Sequence, residues 1–244
     1  MGNLFIGTSG YNYPDWVGGF YPQDLSKKEW LSFYCRHFNT LEINATFYHS
    51  FKRSVFENWY KQTPQKFSFS IKGSRFITHI KRINNVKNEL GRFTEGAYGL
   101  KEKLKVYLWQ FPSSFQLTQQ NKIRLSSFLS ILPKNTRHAF EFRHASWFND
   151  DIYQLLDKNK VGFVTNDTKA FSVAEKITGD FAYIRFHGPQ SLYSSLYSDE
   201  QLKVWAEKIR RYLKTYDVYC YFNNDVSGFA IKNALLLQKL LKFI

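Results

Sequence analysis

Eight times along this chain a short run of branched and aromatic residues ends in polar side chains. Between the runs, apolar residues recur at helical spacing. The runs cover residues 3–7, 40–44, 66–72, 105–111, 137–143, 161–165, 181–186 and 218–222. Strands of this kind, alternating with amphipathic helices, pair in parallel and are covered by the helices on one face. Eight such units close into a (β/α)8, or TIM, barrel, and 244 residues suit one barrel spanning 1–244 as a single domain. An open doubly wound sheet is the rival, but it gives no reason for polar groups at the end of every strand.

The intervening segments read as helices. Leu31, Cys35 and Phe38 form one stripe, Val55, Phe56 and Trp59 another, and Leu202, Trp205, Ile209 and Leu213 a third. Residues 123–132 and 152–156 belong to further helices, residues 90–102 are helical in part, and Ala230, Ala234, Leu237 and Leu241 form a closing face. Ser26 with Glu29, Ser54 with Glu57 and Ser198 with Gln201 carry capping-box spacing. The link between the sixth and seventh runs is too short and polar for a full helix, so the barrel is expected to be irregular there.

In a barrel the carboxyl ends of the strands open on the ligand face, and residues two apart on a strand point the same way. Glu42 and Asn44 therefore share a face, as do Ser70 and Lys72, Glu141 and Arg143, and Arg185 and His187. The first strand runs into Ser9 and Tyr11, the fourth ends at Gln110, the sixth runs into Asn166 and Asp167, and the eighth into Asn223, Asn224 and Asp225. Buried charges must pair or meet ligand and water. One reading is an internal network in which Glu42 and Glu141 balance Lys72, Arg143 and Arg185. The other, which we favour because every strand contributes, seats an anionic ligand on Lys72, Arg143 and Arg185. Glu42, Glu141, His187 and Asp167 then supply the general acid and base.

The loop GYNYPDWVGGFYP is rich in aromatics and is expected to fold as a lid on the mouth, where Tyr11, with Tyr48, Tyr193 and Tyr197, can also stack on a ring. The formal charge of +14 fits a basic surface or a phosphate-rich partner, either an anionic small molecule or nucleic acid. Cys35 and Cys220 are the only cysteines and read as free thiols. His79, His187, Glu42, Glu141 and Asp167 carry metal-ligating atoms without compact spacing. No cofactor or structural zinc is expected, and only a weak magnesium or manganese site is left open. No Walker, dinucleotide or serine-elbow motif occurs. With no signal segment or long apolar stretch, the expected location is cytoplasmic, without a membrane partner.

The segments GTSGYNYPDW, GGFYP, LEINATFY, FSIKGSRFITH, LWQFP, EFRHASW, YIRFHG and YFNND occur in order from Gly7 to Asp225. In this set the chain resembles the YecE-like family, an uncharacterised family with a TIM-barrel fold. The resemblance implies the barrel and draws His79, His144 and Trp147 into the candidate site beside the strand-end residues. It brings no established reaction, and a fold alone assigns none. The expected function is an enzyme acting on a phosphate-bearing or other anionic substrate by carboxylate or histidine acid–base chemistry, with hydrolysis as the nominal reaction. Non-catalytic binding of nucleic acid or an anionic ligand is the alternative, and a scaffold with a structural rim is a third reading.

Overall fold

The computed structural model describes residues 1–242, so residues 243 and 244 of the expected domain lie outside the described residues. Among the described residues, eight parallel strands are arranged in the order β1-β8-β7-β6-β5-β4-β3-β2. They are β1 (Leu4–Thr8), β2 (Thr40–Ile43), β3 (Ser68–Lys72), β4 (Leu104–Gln110), β5 (Arg137–Glu141), β6 (Val161–Asp167), β7 (Phe181–Phe186) and β8 (Asp217–Phe222). The helices packed around them are α1 (Trp30–Tyr34), α2 (Ala45–Tyr48), α3 (Arg53–Gln62), α4 (Lys87–Ala97), α5 (Gln119–Ile131), α6 (Asp150–Lys158), α7 (Asp199–Leu213) and α8 (Phe229–Leu241). The (β/α)8-type barrel expected from the alternation is the observed architecture. No described helix is long and apolar enough to cross a membrane.

The barrel is nearly closed, and its seam lies between β1 and β2. Only the bridge of Ser9 to Glu42 joins them as strands, with the Gly10 amide donating to the Glu42 carbonyl at 2.8 Å. Along the rest of the seam the Tyr34 hydroxyl replaces the ladder. It accepts from the Thr8 amide at 2.9 Å and reaches the Thr40 carbonyl at 3.2 Å. Gly7 belongs here because a Cβ would sit 2.3 Å from the Thr40 carbonyl oxygen. Tyr34→Phe leaves two buried backbone groups unpaired and is expected to cost about 2–4 kcal/mol, counting 1–3 for each group with partial rescue by water. Denaturant melts check this. An unchanged midpoint would show that the hydroxyl does not hold the seam.

Strand alternation divides the side chains between two layers. Phe5, Val106, Leu108, Ala139, Val164, Phe181, Tyr183, Tyr219 and Tyr221 fill the barrel interior. The outward-facing residues join the larger core beneath the helices. There Trp109 packs on Phe93 and Phe128 and donates its indole N–H to His138 Nδ1 at 3.0 Å. Gly73 makes room for that indole, since a Cβ would lie 2.2 Å from the ring. Cys35 and Cys220 are free thiols.

Two local expectations need correction, and one irregularity stands as read. Ser26 and Glu29 bond side chain to side chain at 2.7 Å rather than capping a helix, and the following segment is a 3-10 turn over Lys27–Glu29. Ser54 falls inside α3, which starts at Arg53, and Glu57 pairs with Arg53 at 3.0 Å. Ser198 and Gln201 do form a full capping box at α7. The first loop folds back on the carboxyl ends of β1 and β8, where the Tyr13 hydroxyl donates to the Ser9 carbonyl at 2.7 Å. Trp16 and Tyr21 are buried, Tyr21 stacks on Trp30, and the Trp16 indole donates to the Asp225 carbonyl. Between β6 and β7 there is no helix. Thr178 staples that segment back, accepting from the Phe163 amide at 2.8 Å and donating to the Val161 carbonyl at 2.7 Å.

Candidate functional site

Above the apolar interior, the inward-facing residues at the strand ends form a polar layer. Register sets Glu42 beside Ser70, Gln110 beside Glu141, and Asn166 beside Arg185. Arg185 organises the layer. Its Nε and Nη2 donate to the Glu42 carboxylate at 3.1 and 2.7 Å, and its Nη1 donates to Glu141 at 2.6 Å. All three side chains are 0% exposed. The Tyr183 hydroxyl donates to Glu42 at 2.7 Å, and the Ser9 hydroxyl donates to its other oxygen. Arg143 donates Nε to the remaining Glu141 oxygen at 2.8 Å. Burial alone would raise the Glu141 pKa, but the charges of Arg185 and Arg143 outweigh it and hold the carboxyl well below its usual range. The guanidinium of Arg185 is opposed by burial in the same way and is held charged by Glu42 and Glu141.

His187 is also fully buried. Asn223 Nδ2 donates to its Nδ1 at 3.2 Å, so its Nε2 carries the proton and faces Asn166 Oδ1 at 2.9 Å. Burial, reinforced by Arg185, pushes its pKa well down, so the ring is neutral. These observations settle what Glu42, Glu141 and His187 touch: each is occupied by protein partners rather than facing open space.

Lys72 differs from its neighbours. It is 7% exposed at the end of β3, and its Nζ lies 4.3 Å from the centre of the Phe47 ring. Among the described residues its Nζ makes no ion pair and no hydrogen bond, because Arg185 and Arg143 take up both carboxylates. Burial, then the neighbouring charge of Arg185, lowers its pKa from 10.5 to about 7, with Glu141 and Glu42 opposing and Arg143 adding. His79 rests on the same Phe47 ring, 4.9 Å between ring centres. Gln110 faces its Nε2 at 3.4 Å, and its Nδ1 meets the Thr78 hydroxyl at 2.9 Å. Burial, then Lys72, lowers its pKa to about 4.

Arg143 closes the layer toward solvent, with 17% of its side chain exposed. Its Nη2 reaches the Tyr193 hydroxyl at 3.3 Å and its guanidinium covers Phe171 at 4.8 Å, leaving Nη1 without a partner among the described residues. The β6–β7 and β7–α7 connections thus bring Phe171 and Tyr193 over the mouth, with Phe171 also against His187 at 5.7 Å. Beside the mouth lies a cavity of about 420 Å³ lined by Tyr11, Asn44, Tyr48 and Trp59 among others. Asn44 Oδ1 is buried there without a partner, while Tyr48 is 68% exposed.

Several candidates fall elsewhere. Asp167 lies on the outward face of β6, where its carboxylate accepts the Trp205 indole N–H, and burial raises its pKa. Strand parity explains this correction, because Asn166 rather than Asp167 points inward. Trp147 is core, stacked on Phe115 and Phe142 with its indole donating to the Phe115 carbonyl at 2.6 Å. His144 Nδ1 meets Ser146 at 2.8 Å and caps a 3-10 turn. Asn224 ties the last loops together through Ser195 and Asn233. Asp225 sits at the rim near Tyr13, and burial raises its pKa to about 7. Among the described residues no group of three or more His, Cys, Asp or Glu side chains is arranged to hold a metal.

Sequence reasoning missed Tyr183, Phe47 and Phe171. Tyr183 lies two residues before Arg185, so the same parity reaches it. Phe47 belongs to a four-residue helix directly after β2, too short to show a period. Phe171 lies in an irregular link without any periodic signal.

The chain is similar to a set of known proteins. UPF0759 protein YunF of Bacillus subtilis is 24% identical over 274 residues, covering 98% of this chain and 94% of that protein. UPF0759 protein YecE of Escherichia coli is 24% identical, covering 90% and 86%. A DUF72 family protein from Thermotoga maritima superposes with a TM-score of 0.89 at 31% identity, covering 98% and 99%. One from Enterococcus faecalis gives 0.85 at 21% identity, covering 98% and 95%, a likeness of fold. Residues 5–243 match the family described as Protein of unknown function DUF72, and the chain belongs to that family.

Proposed function

We propose that the chain is an enzyme acting on a small anionic substrate, bearing a carboxylate or a phosphate, at the carboxyl end of the barrel. The observation that carries this reading is Lys72, a buried amine at the mouth with no counter-ion among the described residues, beside carboxylates already matched by two arginines. On this reading Glu42 and Glu141 hold Arg185 and Arg143 in place, and acid–base work falls to Lys72 and His79. An amine with a pKa near neutrality populates both protonation states at pH 7, which is what proton transfer needs. The free N–H of Arg143 Nη1 and the unpartnered Asn44 carbonyl offer contacts that fix a substrate's orientation. Hydrolysis remains the nominal reaction class.

A second reading, binding of nucleic acid, draws on the opposite end of the barrel. A cavity of about 550 Å³ there is lined by Lys134, Arg137, Lys158 and Lys160. Arg137, however, is engaged by Asp180 and Asp217. One experiment separates the two readings. Calorimetric titration with phosphate and small carboxylates is expected to detect binding that Arg143→Gln weakens by roughly ten-fold or more, the worth of one charge-assisted contact. Unaltered anion affinity in Arg143→Gln would remove the seat. Salt-sensitive nucleic-acid binding that is indifferent to Arg143 would assign the basic end instead.

A further inference from the structure

Three features of Lys72 belong to a nucleophile more than to a charge holder. Its Nζ sits over an aromatic ring rather than on a carboxylate. It projects from the last residue of a strand, where backbone pairing to Leu108 fixes its root. Among the described residues no protein group accepts from its N–H groups and none donates to its nitrogen, so neither the N–H groups nor the lone pair is held by a hydrogen bond. The neighbouring groups fit the same role. Arg143 can hold an anionic group through Nη1, and His79, on the same Phe47 ring, is a neutral imidazole.

We infer that Lys72 forms a Schiff base with a small aldehyde or ketone that also bears a carboxylate or phosphate, the anionic group resting on Arg143. This rests on the anion-site reading above and names its substrate class. The Nζ lone pair forms a bond to the carbonyl carbon, and the carbonyl π pair moves to oxygen. The oxygen takes up a proton while nitrogen loses one, giving a carbinolamine. A second proton, taken up from the solvent, reaches that oxygen and expels water, and the nitrogen lone pair closes the C=N bond of the iminium. His79 is the group placed to take the nitrogen's proton and return it to the leaving oxygen. No oxidant or reductant enters. The iminium then draws electrons from the adjacent carbon, the step on which carbon–carbon cleavage, decarboxylation or α-proton exchange depends. Lys72 is desolvated and surrounded by Arg185 and Arg143, with Glu141 and Glu42 opposing, and this environment keeps a usable fraction of the free amine at neutral pH.

The test uses the wild-type protein. It is incubated at pH 7 with glyoxylate or, separately, with acetaldehyde, each with cyanoborohydride to reduce the imine. Peptide mass spectrometry then follows each lysine over time. An exposed lysine with an ordinary pKa is about 0.04% neutral at pH 7, so Lys72 is expected to be modified at least ten-fold faster than any exposed lysine even after allowing for its restricted access. Faster labelling of Lys72 by glyoxylate than by acetaldehyde supports both the amine and the anion seat. Equal preference supports the Schiff base and contradicts the anion seat. Labelling of Lys72 by neither reagent faster than the exposed lysines overturns the inference, while the Arg143→Gln titration still decides the anion seat on its own.

Discussion

Arg185→Met is expected to destabilise the barrel by roughly 3–5 kcal/mol at pH 7, the cost of removing one partner from a buried ionic network. The guanidinium supplies three hydrogen bonds to Glu42 and Glu141, and all three side chains are fully enclosed. Methionine fills much of the volume but leaves both carboxylates buried, with Arg143 the remaining arginine ion-paired to them among the described residues, and that on Glu141 alone. The pH dependence identifies the cause. In the wild type, the Glu141 pKa is depressed in the folded state. Its contribution is therefore fully present above the unfolded carboxylate value of about 4.3 and is lost as pH falls through the folded value. In the variant, protonating Glu141 relieves the buried charge, so the gap to wild type narrows on acidification. If Arg185→Met does not fold, Arg185→Lys serves, since one ammonium cannot reproduce the fork across two carboxylates. A loss below about 1 kcal/mol that does not change with pH would show that the network is not what holds the layer, since that is the range of an exposed pair.

Lys72→Met is expected to act in the opposite direction. Lowering a lysine from 10.5 to about 7 corresponds to roughly 4–5 kcal/mol of unfavourable free energy in the folded state at acidic pH. The replaced side chain also gives up its contact with Phe47, so a net gain of about 2–4 kcal/mol at pH 6 is expected. The sign follows from proton binding. Below pH 7 both folded and unfolded states carry the charge and the full penalty applies. Between pH 7 and 10.5 the unfolded state still binds the proton while the folded state has released it. Wild-type stability therefore rises with pH across that interval, and the two proteins converge near its upper end. Guanidinium melts at pH 6 and pH 10 check this. A variant less stable than wild type at pH 6 would mean that the ammonium is well accommodated. A residue that costs stability where it stands is the pattern of a group kept for function.

The barrel was legible because its two periods are long-range and repeated. Period-two runs of Val, Ile, Phe and Tyr alternate with helical stripes such as Leu202, Trp205, Ile209 and Leu213, and no single error in a boundary changes the outcome. Parity also carried most of the polar layer, since Glu42, Lys72, Glu141, Arg185 and His187 all stand on the inward set of their strands. It misled at Asp167 because the polar pair Asn166–Asp167 straddles both faces, and only the frame set by Val164 shows which is inward. What sequence could not resolve was which charges pair with which. Glu42 and Arg185 are 143 residues apart, and the choice between Arg185 and Lys72 as their partner depends on side-chain reach across the barrel. That Lys72 is the cation of the polar layer left without a carboxylate among the described residues is the outcome of that competition, and no local motif announces it. Phe171 and the Phe76–Ile80 turn that sets His79 were illegible for a simpler reason. Both sit in connections without a regular hydrophobic period.

The protonation of Lys72 itself can be read directly. With lysine labelled at Cε and an assignment from Lys72→Met, the Cε chemical shift follows the charge on Nζ through a pH titration of the intact protein. An inflection near pH 7 is the predicted result, well separated from the bulk of the lysines above pH 10. A Lys72 signal that titrates with the others would contradict an amine left free at the barrel mouth, and the chemistry assigned to it would go with it.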